Sequence, residues 1–132
     1  MGKVETNKKQ KNTTLLQTSF ELFTEKGFTK TTISDIVNRA GLAKGTFYLY
    51  FKDKYDLRDR LVTYKTSQLF GNAHTALIEQ NIQGFENQMF FVIDHIIDRL
   101  EKEPKLLQFI SKNLSWGSAG RRRRHVPRAG EP

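Results

Sequence analysis

A chain of 132 residues, 37% hydrophobic and 27% charged, has room for one ordinary domain, or a small domain and part of a second. No apolar run approaches the roughly 18 residues of a membrane helix, and no apolar stretch of signal-peptide type follows the lysine-bearing N-terminus. With no cysteine, disulfides, Cys-based zinc sites and a thiol nucleophile are excluded. The net charge of +8 is unevenly spread: residues 1–60 hold 12 Lys/Arg against 7 Asp/Glu, residues 61–116 hold 5 against 6, and residues 117–132 hold 5 Arg against one Glu. That asymmetry points to a polyanion, nucleic acid or an anionic membrane surface, without choosing between them.

The periodicity is helical throughout, so the fold class is all-α. Lys8, Lys9 and Lys11 make residues 1–12 a flexible basic arm, either a solvated tail or a groove-binding segment. Leu15, Leu16, Ser19, Phe20, Leu22 and Phe23 form one broad face of a first helix over about 13–26, and Gly27 is suited to end it. Thr32 with Asp35 is a capping-box pattern opening a second helix. Its apolar stripe is Ile33, Ile36, Val37 and Ala40, and Gly41 closes it. Only Leu42 and Ala43 separate it from a third helix starting at Lys44, whose Phe47 and Phe51 (i, i+4) face the core together. Asp53 caps a fourth helix, with Asp56 in its first turn and Leu57, Leu61, Tyr64 and Leu69 on its buried side.

Residues 71–84 contain two glycines and a weaker period, which predicts a hinge or break. Phe85, Met89, Val92, Ile93, Ile96, Ile97 and Leu100 outline a strong amphipathic helix ending near Pro104, with Asp94 and Asp98 on its wet face. Leu106, Leu107, Ile110 and Leu114 outline a shorter one. The tail 117–132 changes style abruptly, using Arg and no Lys among Gly and Pro. It reads as disordered, and a frameshifted or artificial ending accounts for the change. The Arg121–Arg124 run would bind any polyanion without selectivity.

Two short helices joined by a tight Gly-containing turn have helix-turn-helix geometry, in which the second helix presents its first turn to base edges. Lys44 stands at that helix start, where its charge and the free N–H groups favour a phosphate. Gly45 lets the helix end approach a sugar-phosphate wall. Thr46 can donate to a phosphate or a base, the hydroxyls of Tyr48 and Tyr50 can reach phosphate oxygens, and Lys54 would flank the same groove.

The stretch LLQTSFELFTEKGFTKTTISDIVNRAGLAKGTFYLYFKDKYDL, from Leu15 to Leu57, resembles the N-terminal domain of the TetR family of bacterial transcriptional regulators. The resemblance implies a three-helix DNA-binding domain (13–56) followed by part of an all-helical effector and dimerisation domain (57–116). It implies that Thr32, Ala43, Lys44, Gly45, Thr46, Tyr48, Tyr50 and Lys54 lie at DNA-contacting positions. Ala43 stands where serine is more frequent, and Tyr50 where histidine is. The partner implied is double-stranded operator DNA, and the function that of a ligand-responsive repressor in the bacterial cytoplasm, at the nucleoid. Family members dimerise through helices that would lie beyond Trp116, so this chain reads as truncated and a homodimer is in doubt. A small-molecule effector is implied but not identified.

Against these stand blander readings: a basic protein binding DNA or a membrane through charge alone, or an inactive fragment. No nucleophile–base pair or phosphate loop suggests an enzyme. No metal or cofactor is expected, because His74, His95 and His125 lie in no ligand pattern. His95, among apolar residues, reads as a partly buried polar group or a lining residue of an effector cavity.

Overall fold

The computed structural model describes residues 3–122, with side chains from 7 to 113. Six helices occur among them: α1 (Lys3–Lys26), α2 (Ile33–Ala40), α3 (Lys44–Tyr50), α4 (Lys54–Glu79), α5 (Phe85–Lys102) and α6 (Pro104–Arg122). No strand occurs among the described residues, as the helical periodicity predicts. The chain divides into two compact units, Met1–Lys65 and Thr66–Pro132, with the division falling inside α4. Leu57 and Leu61, assigned from sequence to the second domain, are fully buried and belong to the first unit.

In the first unit the apolar stripes converge. Leu15, Leu16, Leu22 and Phe23 of α1, Ile36 and Val37 of α2, Phe47 and Phe51, and Leu57 and Leu61 of α4 are all buried. Burying a side chain of this size is worth roughly 1.5–3 kcal/mol, which offsets the ordering of short helices that would not form alone. Phe20, expected in this core, is only partly buried and lies under the Lys65 ammonium, 4.1 Å from the ring centre. Buried Ser19 donates to the Leu15 carbonyl at 2.6 Å, and Thr31, fully buried, donates to the Gly27 carbonyl at 2.7 Å.

The caps follow their sequence signals. Thr32 Oγ1 accepts from the Asp35 N–H and Asp35 Oδ2 accepts from the Thr32 N–H, both at 3.0 Å, a complete capping box. Gly41 closes α2 at φ 71°, in the left-handed region that glycine adopts without a Cβ clash. Asp53 Oδ1 accepts from the Asp56 N–H at 2.8 Å, and Asp56 Oδ2 accepts from the Lys52 N–H at 2.8 Å. That hydrogen bond, with Arg60 beside it, holds the Asp56 carboxyl below its ordinary value. Lys26 pairs with Asp35 at 2.8 Å and Arg39 with Glu25 at 3.0 Å, tying α2 to α1.

Two sequence expectations are corrected and a third, the break within residues 71–84, is met. Residues 3–12 are not a flexible arm but the first turns of α1, which begins well before the apolar stripe that opens at Leu15. The predicted break lies at residues 80–84, where Asn81 and Gly84 adopt positive φ, while Gly71 stays helical. In addition, α6 extends to Arg122, so residues 117–122 are helical rather than disordered. The remainder of the predicted disordered tail, including His125, lies outside the described residues.

The second unit is built differently. Leu69 and Ala73 of α4 and Leu106 and Phe109 of α6 are buried, but no side chain of α5 is. Phe85, Met89, Phe90, Ile93 and Ile97 all stand exposed along it. Pro104 begins α6, a position where its missing N–H costs nothing. His95 stacks on Phe91 with ring centres 6.0 Å apart, which fits the partly buried reading. Asp94 and Asp98 are exposed, Asp98 pairing with Lys102 at 2.9 Å.

Candidate nucleic-acid interface

The spacing of two phenylalanines decides what α3 shows to the outside. Phe47 and Phe51, four residues apart, are 0% and 2% exposed, with ring centres 5.5 Å apart. With that side anchored, Gly45, Tyr48 and Leu49 fall on the opposite side of a 3.6-residue turn. Tyr48 is 52% exposed and Leu49 80%, and Lys44 and Gly45 are exposed as well. Thr46 and Tyr50 are partly buried at the margin of this face. Lys44, Gly45 and Tyr48 are thus exposed and Thr46 partly so, all within the first five residues of α3. Lys44 makes no hydrogen bond or ion pair to any described residue.

Gly45 has an ordinary backbone conformation, and a Cβ built there meets nothing within 4 Å. The fold therefore does not require glycine at this position, whereas close approach of an outside surface would. Ala43 stands at the N-cap of α3 with φ −81° and ψ 151°, and its side chain offers no cap hydrogen bond. The Thr46 N–H donates to the Ala43 carbonyl at 3.0 Å, and the N–H groups of Lys44 and Gly45 meet no acceptor among the described residues. Thr32, exposed at the start of α2, accepts the Asp35 N–H through its hydroxyl oxygen at 3.0 Å.

Lys54 departs from the free phosphate anchor expected of it. Its Nζ donates to the Phe28 carbonyl at 2.7 Å and the Thr31 carbonyl at 2.9 Å. It also lies 4.2 Å from the Phe28 ring centre. Burial, then the neighbouring Arg58, lower its pKa from the ordinary lysine value. Two of its three donors hold the turn between α1 and α2, leaving one free to reach outward. Sequence reasoning also missed Leu49, although the Phe47/Phe51 spacing already implies its outward position. An exposed leucine between tyrosines is suited to apolar contact with a thymine methyl.

The described residues contain no group of three or more His, Asp or Glu that could hold a metal ion. No described helix is long and apolar enough to cross a membrane. What the surface offers is cationic, hydroxyl and apolar contact from a rigid short helix, together with open N–H groups.

Comparison with known proteins agrees with this geometry. Residues 15–61 match the family described as bacterial regulatory proteins, tetR family. An uncharacterised HTH-type transcriptional regulator of Bacillus subtilis, YvdT, is 45% identical over 64 residues, which is 46% of this chain and 33% of that protein. Another from the same organism, YuxN, is 25% identical over 116 residues, covering 83% of this chain and 36% of its own length. The chain thus spans about a third of the length of these relatives. A solved TetR family transcription regulator from Marinobacter aquaeolei VT8 superposes with a TM-score of 0.69 at 19% identity, over 81% of this chain and 55% of that one, a likeness of fold. Residues 15–61, which form the α1–α4 core carrying the exposed face of α3, are thus the part of the chain that matches the tetR family of bacterial regulatory proteins.

Proposed function

We propose that the chain is a sequence-specific DNA-binding transcriptional regulator that lays α3 in the major groove and braces α2 on the phosphate backbone. The observation that carries this reading is the α3 surface itself. Lys44, Gly45 and Leu49 are exposed, and Tyr48 packs edge-on against Phe47 at 5.3 Å between ring centres while staying half exposed, on a helix anchored by the buried Phe47/Phe51 pair. A protein binding through charge alone needs no such fixed geometry. In this reading Lys44 and the Thr32 hydroxyl hold phosphates, while Thr46, Tyr48 and Leu49 meet base edges, with Tyr50 beside them. Ala43 contributes backbone at the helix start. Lys54 acts indirectly, by fixing the turn between α1 and α2. The regulator is a repressor that a small-molecule effector releases from its operator, the effector site belonging to the helices beyond residue 65.

The test is selection of bound duplexes from random DNA, followed by titration of the enriched sequence at several salt concentrations. One enriched sequence is expected to bind well above random DNA. Lys44→Ala is expected to weaken both and reduce the salt slope by roughly one contact. Gly45→Ala is expected to leave folding intact and weaken binding. No enrichment, with all duplexes bound equally, would establish the charge-only reading instead.

A further inference from the structure

The exposed apolar residues of α5 form a row rather than a scatter. Phe85, Met89, Ile93 and Ile97 follow one another at four-residue spacing, which keeps them on one side of the helix, and Phe90 stands three residues before Ile93 and seven before Ile97. All five are between 47% and 77% exposed. Gln88, Val92, His95 and Ile96, on the neighbouring side, are partly covered. At about 200 Å² for a phenylalanine side chain and somewhat less for methionine or isoleucine, the row offers roughly 550 Å² of apolar surface. That is near the upper end of what a monomeric protein leaves open.

The row carries both halves of a helix-packing contact. Phe85, Gln88, Met89 and Val92 (i, i+3, i+4, i+7) surround, with Ile93, an open depression of about 270 Å³. Four residues so arranged are the hole into which one side chain of a facing helix inserts. Gln88 is held in place at this hole: its Nε2 donates to the Ile82 carbonyl at 3.0 Å. The amide is satisfied at the preceding turn, and the methylenes are left to line the hole. The knobs stand on the same helix. Phe85, Met89, Ile93 and Ile97 make a four-residue ridge, and two ridges of this kind interdigitate in the commonest class of helix packing.

Charge narrows what can occupy this face. Exposed Glu86, Asp94 and Glu101 border the row and form no ion pair among the described residues, while Arg99 and Lys102 are already paired with Glu103 and Asp98. An acidic border repels anionic lipid and nucleic acid alike. A second copy of α5 supplies knob, hole and area together. Two such faces bury roughly 1,100 Å², which clears the roughly 1,000 Å² that a specific interface needs.

We propose that two copies of this chain associate through α5, the row from Phe85 to Ile97 of each packing into the other about a two-fold axis. This interface is not the one the family resemblance implies, which would lie beyond Trp116, and it does not depend on the DNA-binding reading. Apolar burial drives it against like-charged borders, so added salt should strengthen the association rather than weaken it.

The experiment is sedimentation velocity of the full chain over a concentration series, at low and high salt, for wild type, Ile93→Glu, Phe85→Ala and Ile78→Glu. The wild type is expected to show a monomer–dimer equilibrium that tightens with salt. Ile93→Glu puts a carboxylate in the middle of the row. It should remove the dimer at every concentration that dimerises wild type, with unchanged helix content by circular dichroism. Phe85→Ala should raise the dissociation constant about tenfold, and it decides the matter if Ile93→Glu loses helix. Ile78→Glu removes a comparably exposed apolar residue of α4, outside the row, and should dimerise as wild type does. A wild type that stays monomeric overturns the proposal, as does a dimer that survives both α5 variants. Equal loss of association in Ile78→Glu, or growth past the dimer without limit, also overturns it, in favour of unspecific apolar association.

Discussion

The two units of this chain use similar amphipathic helices and reach opposite outcomes. In the first, α1, α2, α3 and the start of α4 turn their apolar stripes onto one another, and Phe47, Phe51, Leu57 and Leu61 are at most 2% exposed. In the second, α5 also carries an apolar stripe, yet Phe85 is 77% exposed and Phe90 59%. The difference teaches that patterning specifies which face of a helix seeks burial, not whether burial is achieved. Short helices such as α2 and α3 exist only because partners cover them. The 18-residue α5 persists with its stripe uncovered.

The comparison is broken most directly by truncating one aromatic in each unit. Phe47→Ala should cost about 3–5 kcal/mol, the range for emptying a core aromatic site, while Phe85→Ala should change stability by no more than about 0.5 kcal/mol. Urea unfolding of both variants, at concentrations where the chain is a monomer, checks this, and a large loss for Phe85→Ala would mean that α5 is covered within the single chain.

A smaller effect is expected at the turn between α1 and α2. Lys54→Ala leaves the Phe28 and Thr31 carbonyls without their shared donor and should cost about 1–2 kcal/mol. It should weaken DNA binding chiefly by loosening the turn. Equal stability of wild type and variant, with a salt slope reduced by one contact, would return Lys54 to the role of a direct phosphate anchor.

Ala43→Ser should gain up to about 1 kcal/mol, because the serine oxygen can accept an open N–H of α3 where Ala43 offers none. A shift of the urea midpoint to higher concentration at unchanged slope is the signature, and Leu107→Ser in the second unit should produce no such gain.

The last effect concerns pH. The Lys26 ammonium, then the Thr32 N–H and hydroxyl, lower the Asp35 carboxyl from 3.8 to about 2. A carboxyl depressed in the folded state stabilises the fold above its unfolded pKa and loses that contribution as pH falls through the folded one. The first unit should therefore lose part of its stability between about pH 4 and pH 2. Asp35→Asn should flatten that part of the profile in an acid titration of the unfolding midpoint.

Much of the site was legible beforehand because its signals are local. Thr32 and Asp35 cap α2 across three residues, Gly41 ends it one residue past its last turn, and Phe47 and Phe51 select the buried side of α3 by a four-residue spacing. The length of α1 was not legible, because Lys8, Lys9 and Lys11 carry no apolar stripe, and a polar helix resembles a polar arm when only hydrophobic periodicity is read. The extent of α6 was hidden for the same reason, since Gly and Arg past Trp116 suggest a break that the helix does not make.

The amino-acid sequence by itself determined the helical class, the order of the helices, the caps, and the family that residues 15–61 match, since each depends on residues within one or two turns of each other. Only the tertiary structure decided what Lys54 does. Its partners, the Phe28 and Thr31 carbonyls, lie 26 and 23 residues away, and no spacing rule reaches that far. It likewise decided that Phe20 is half covered while Phe23 is buried, and that Phe85, Met89, Ile93 and Ile97 of the α5 stripe stay exposed among the described residues. Burial is a property of the surfaces that meet, and a single helix specifies only one of them.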